Sequence, residues 1–99
     1  MKLLEIKMSL KRDKKYDAIF EIESASQTPK RKRVSFGAKG SNDYTLTNDE
    51  EAKERYLKRH APRENWNDPL SAGALSRWIL WNKPTLSGSI LDFKKRFNL

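Results

Sequence analysis

The chain has 99 residues, 36% apolar and 34% charged, with 21 basic and 13 acidic side chains and a formal net charge of +8. That length suits one compact domain rather than two, because a domain this small buries only about 60–65% of the surface its unfolded chain exposes. The absence of cysteine excludes disulfides and thiolate metal sites, a lone His60 makes no metal cluster, and no apolar run approaches the roughly 20 residues of a membrane helix.

In chain order, Leu4, Ile6, Met8 and Leu10 alternate with Glu5, Lys7 and Ser9, the period of a half-buried strand with those four apolar residues inward. The polar run Lys11-Arg12-Asp13-Lys14-Lys15 interrupts the pattern. It resumes with Tyr16, Ala18, Phe20 and Ile22 against Asp17, Ile19, Glu21 and Glu23, which predicts a hairpin. Ser24-Ala25-Ser26-Gln27-Thr28-Pro29 is rich in turn formers, so a third strand is expected over residues 31–36, ending by Gly37. A loop to about Leu46 follows.

Thr47-Asn48-Asp49-Glu50 matches a capping box, with the Thr hydroxyl and the Glu carboxylate satisfying backbone donors at a helix start. The helix should run to about His60, with Ala52, Tyr56 and Leu57 inward and Pro62 as its stop. Asp49, Glu50 and Glu51 in its first turn and Lys58, Arg59 and His60 in its last complement the helix dipole. Asp68-Pro69 predicts a second helix, along which Leu70, Ala74, Trp78 and Trp81 form the apolar stripe, widened by Leu75 and Ile79 and ended by Asn82 and Pro84. Thr85 caps a third, with Leu86, Ile90, Phe93 and Phe97 on one face. The expected architecture is α+β: a single domain over residues 1–99, with a three-stranded antiparallel β-meander in residues 1–40 followed by three short α-helices in residues 41–99.

Charge is uneven, at +1 over residues 1–23, +5 over 24–40, −2 over 41–68 and +4 over 69–99. Lys30, Arg31, Lys32 and Arg33 form the densest cluster. It reads as a solvated hairpin, as a binding strand for nucleic acid or an acidic partner, or as a monopartite nuclear localisation signal. Gly37-Ala38-Lys39-Gly40 has the form of the loop that clamps nucleic-acid backbone in KH domains, although a plain turn explains it as well, and Lys39 joins the candidate cations. Lys94, Lys95 and Arg96 are either a solvated helix face or a second contact.

Trp66 and Tyr44 are candidate stacking residues for bases, while the helical spacing of Trp78 and Trp81, with Arg77 and Lys83 near, argues for core. No nucleophile and base stand at suggestive spacing, and Glu50 and Glu54 are explained by capping and by pairing with Lys58. Neither an enzyme, a cofactor nor a small-molecule substrate is expected. The first residues, Met1-Lys2-Leu3-Leu4-Glu5, lack the long apolar stretch of a secretion signal, so an intracellular setting is expected.

The stretches Val34-Ser35-Phe36-Gly37-Ala38-Lys39-Gly40, Asp43-Tyr44-Thr45, Tyr56 with Arg59-His60, Arg63-Glu64-Asn65-Trp66, and Trp78 through Trp81-Asn82-Lys83-Pro84-Thr85-Leu86 carry a resemblance. Over residues 16–99 they resemble a family of short basic proteins of large nucleocytoplasmic DNA viruses. The resemblance implies a viral protein in the virion or in host cytoplasm or nucleus. There it would serve as a minor capsid or core structural protein, with viral structural proteins or nucleic acid as partner. It carries over no catalytic or binding residue, and oligomeric state stays open.

Overall fold

The computed structural model describes residues 1–23 and 28–99, so residues 24–27 of the predicted turn lie outside the described residues. The alternating segments form β1 (Lys2–Met8), β2 (Lys14–Ile22) and β3 (Lys30–Ala38), paired antiparallel in the order β1-β2-β3. β2 supplies the central row of the buried face: Ala18 and Phe20 are fully buried, with Tyr16 and Ile22 packed at their sides. Their partners continue that face, Val34 and Phe36 on β3, Leu3 and Ile6 on β1.

The inward face predicted for β1 is wrong by one residue at its start. Leu3 stands opposite Phe20 and Glu5 opposite Ile19, so Leu4 is the extra residue of a bulge. Ahead of the bulge the parity inverts: Leu3 is buried, whereas Leu4 is 39% exposed. Met8 and Leu10 are exposed as well.

The third strand passes through Gly37, beyond its predicted end, and Ala38 still pairs with Lys14. Gly37 adopts φ of +78°, and a Cβ there would lie 2.8 Å from Leu80 Cδ1, so only glycine fits this close crossing. The predicted loop after it holds one helical turn, α1 (Tyr44–Thr47), capped by Asp43. Thr47 therefore ends a turn instead of starting a helix. Asn48, in the left-handed region, breaks the chain, and Asp49 caps α2 (Glu50–His60) by accepting from the amides of Glu51 and Ala52. Pro62 then lies in a single 3₁₀ turn, Ala61–Arg63.

The helix predicted from Asp68 begins later. Asp68 accepts from the Leu70 amide in a local turn, and Ser71 caps α3 (Ala72–Leu75), which runs on as a π-helical turn over Ser76–Leu80. Ala74, Leu75 and Ile79 are buried as the spacing predicts, but the wider π turn rotates the later part of the stripe, so Leu80 is buried as well while Trp78 and Trp81 flank the core half-buried. α4 (Leu86–Arg96) starts at Thr85, whose hydroxyl accepts from the Gly88 amide, and Leu86, Ile90, Phe93 and Phe97 all pack on the core as the spacing predicts.

The fold is α+β, with helices over one face of an open three-stranded sheet. α3 lies against β3 and α4 against the π turn. Phe20, Phe36, Phe93, Leu75 and Ile79 are the largest fully buried apolar side chains, each contributing about 1.5–3 kcal/mol by leaving water. Among the described residues no helix is long and apolar enough to cross a membrane.

Candidate binding surfaces on the sheet edge and in the adjoining cleft

The pleat of β3 divides the basic cluster. Lys30 and Lys32 share the helix-facing side with Ile22 and Phe20, beyond the helices' cover, and Arg31 and Arg33 lie on the open face opposite Glu21 and Ile19. All four are exposed. The open face alternates in sign: Arg33 Nε is 3.7 Å from Asp17 Oδ2, Lys7 Nζ is 3.7 Å from Glu5 Oε1, and Glu21 pairs across to Arg31 and Lys2. Arg31, Lys32 and Arg33 line one shallow depression with Glu5, Lys7 and Ile19, and Ile19 is nearly buried among these longer side chains.

Asp17 organises this face. Burial raises its carboxyl pKa, but hydrogen bonds from Ser35 (2.6 Å) and Ser9 and the charges of Arg33 and Lys11 outweigh that, leaving it below the usual aspartate value. β3 is the last strand of the sheet. Among the described residues no backbone hydrogen bond joins residues 30–37 to anything beyond β2.

The remaining candidates are dispersed. Lys39 is exposed at the turn after β3, where its amide donates to Asp13 O and so sits beside Lys11, Arg12 and Lys14. Lys95 is exposed on α4. Arg96 is engaged, 3.7 Å over the Trp78 ring and 3.4 Å from Asp92 Oδ2. Lys94, Lys95 and Arg96 line neither the depression nor the cleft described next.

The stacking role expected of Tyr44 does not fit its position. Its ring is buried, its hydroxyl donates to Glu50, which raises the hydroxyl pKa, and Lys53 Nζ lies 4.6 Å from the ring centroid. Trp66 is also committed. Its Nε1 donates to Glu64 Oε2 (2.9 Å), Arg77 lies 5.4 Å from its ring, and its carbonyl accepts from Trp78 Nε1.

A cleft of about 470 Å³ opens where the Lys14 end of β2, the Ala38 end of β3, the last turn of α2 and the start of α3 meet. Phe36, Leu80 and Trp81 line its apolar part. Lys15 Nζ meets Asp43 Oδ2 at 2.5 Å, and Asp43 also accepts from the amide and hydroxyl of Thr45. On the other wall His60 Nδ1 is 2.7 Å from Glu64 Oε1. Tyr56 is stacked between His60 and Trp81, at centroid distances of 4.2 and 4.6 Å, and burial, reinforced by Glu64, pushes its hydroxyl pKa upward. Sequence reading assigned Lys14 and Lys15 to a turn and Arg59 and His60 to a helix end. The i,i+4 spacings of Tyr56 with His60 and of His60 with Glu64 are local signals that these groups meet.

Residues 4–60, which span nearly all of the sheet together with α1 and α2, match the family described as "Family of unknown function (DUF5754)". No curated protein and no solved structure matches the chain. With more than half of its length matched, including the free β3 edge and the α2 wall of the cleft, the chain belongs to the DUF5754 family.

Proposed function

We propose that this chain is a non-enzymatic basic binding protein that docks an acidic partner protein along β3. On the resemblance to short proteins of large DNA viruses, its setting is the virion, as a minor capsid or core structural component. The observation that supports the protein-facing form is the edge itself. β3 runs nine residues, Lys30–Ala38, in register with β2, with no strand beyond it among the described residues and cations on both of its faces. An extended acidic segment added there gains main-chain hydrogen bonds from the edge, and meets Lys30 and Lys32 on one face and Arg31 and Arg33 on the other. The mixed signs of the open face suit a protein surface, where like charges would otherwise repel.

The test is amide exchange of the full chain with and without an eight-residue peptide of alternating Glu and Val. Alternate amides of residues 30–37 should slow on binding, and an Ala variant at Lys30, Arg31, Lys32 and Arg33 should lose the protection. Unchanged exchange at millimolar peptide contradicts the reading. Quantitative proteomics of purified particles checks the setting, and absence at stoichiometric level removes it.

A second reading, a nucleic-acid module, is supported by cations with no carboxylate within 4.0 Å among the described residues at both ends of the sheet: Lys30, Arg31 and Lys32 at one, Lys11, Arg12, Lys14 and Lys39 at the other. A nine-residue strand separates them by about 25–30 Å, on the scale of one turn of duplex DNA. If about five cations contact phosphates, log affinity should fall with log salt at a slope of about −4 to −5, and the four-Ala variant should flatten it.

A further inference from the structure

We infer that the cleft binds a phosphorylated ligand with a flat apolar body, the chemistry shared by a free mononucleotide and by the phosphorylated end of a nucleic-acid strand. Its volume, about 470 Å³, lies within the range of small-molecule sites, roughly 300–1,000 Å³. The argument for an anion comes from which charges are already committed. Asp43 is held by Lys15 and by the amide and hydroxyl of Thr45. Glu64 is held by His60 and by Trp66 Nε1. Gly73 lets that carboxylate pack into the wall, since a Cβ there would sit 2.8 Å from Glu64 Oε2.

The lining cations Lys14 and Arg59, by contrast, have no carboxylate within 4.0 Å among the described residues, where the Ser41 hydroxyl and Asn42 amide also have no side-chain hydrogen bond. The field left in the cleft is positive and rich in donors. A phosphate, with three oxygens and close to two charges, satisfies several such donors at once, and the Arg59 fork matches it in two-point geometry. Half-buried Trp81, with the exposed side chains of Ala38 and Ala72 on the same lining, offers an apolar surface that a sugar phosphate alone would leave wet and a planar base would cover. Lys30, Arg31, Lys32 and Arg33 do not line the cleft, so this site stands apart from the basic half of β3.

The experiment titrates the full chain with AMP, adenosine, inorganic phosphate, and a short oligodeoxynucleotide with and without a 5′-phosphate, following amide NMR shifts and tryptophan fluorescence. AMP or the 5′-phosphorylated oligonucleotide should bind saturably and shift the amides of residues 14–15, 38–43 and 56–60. Adenosine, inorganic phosphate and the unphosphorylated strand should bind about tenfold more weakly or less. Tighter binding of AMP identifies a free nucleotide, and tighter binding of the phosphorylated strand identifies a strand end. Lys14→Gln and Arg59→Gln, both unpaired and so expected to keep the wild-type Tm, should each weaken binding about tenfold. Ala72→Phe, which places a ring at the lining, should abolish it. The inference is overturned if neither phosphorylated probe shifts these amides at millimolar concentration, or if binding survives unchanged in the Lys14→Gln, Arg59→Gln double variant.

Discussion

The two halves of β3 belong to one strand, paired with β2 along its length, and differ in nearly everything else. From Val34 to Ala38 the strand lies under α3: Phe36 is fully buried, and Gly37 crosses Leu80 too closely for any side chain. From Lys30 to Arg33 every side chain is exposed, and among the described residues no carboxylate lies within 4.0 Å of Lys30, Arg31 or Lys32. Stability is therefore concentrated in one half and unspent binding capacity in the other. The proposed docking along β3 would profit from this arrangement, because the anchored half holds the exposed half in a fixed extended shape before a partner arrives.

The strongest way to break that division is Phe36→Ala, expected to cost about 3–5 kcal/mol in urea unfolding, since the ring contacts core from both sheet and helices. A loss under about 1 kcal/mol would show that the covered half is not the anchor. Next comes Gly37→Ala, for which a left-handed backbone and a 2.8 Å approach to Leu80 together predict about 2–4 kcal/mol, read in the same assay.

A smaller effect lies at the middle of the sheet and depends on pH. Asp17, hydrogen-bonded by Ser35, has a pKa lowered in the folded state, so its carboxylate stabilises the fold above the ordinary aspartate range and loses that contribution as pH falls through the folded value. Asp92 behaves alike: burial raises its pKa, and hydrogen bonds from Asn82 and Arg96 with nearby positive charge more than offset it. Stability measured between pH 5 and pH 2 should fall less steeply in Asp17→Asn than in the wild type. An unchanged slope would remove Asp17 from the account. Smallest of all, Ala at Lys30, Arg31 and Lys32 should change stability by no more than about 0.5 kcal/mol each while abolishing partner binding at the edge, which circular dichroism melts and the peptide exchange experiment together check.

Periodicity and capping chemistry are local, and they were legible. The amphipathic rows of β2 and α4, the Thr85 cap and the stop before Pro62 follow from interactions within a few residues, so reading the chain in order suffices to place them. The α+β class follows from those rows, because each needs a second apolar surface to cover it. What the sequence could not determine is decided by contacts between distant segments. The bulge at Leu4 exists because Leu3 must meet Phe20, the choice of Asp49 over Thr47 as cap because Asp43 had already wound α1, and the rotated later part of the α3 stripe because a π turn seats Leu80 together with Leu75 and Ile79. The cleft is the extreme case. Glu64 is held by His60 and Trp66 from its own segment, but Lys15 finds Asp43 across 28 residues, so which charges remain free is settled only when the chain is folded.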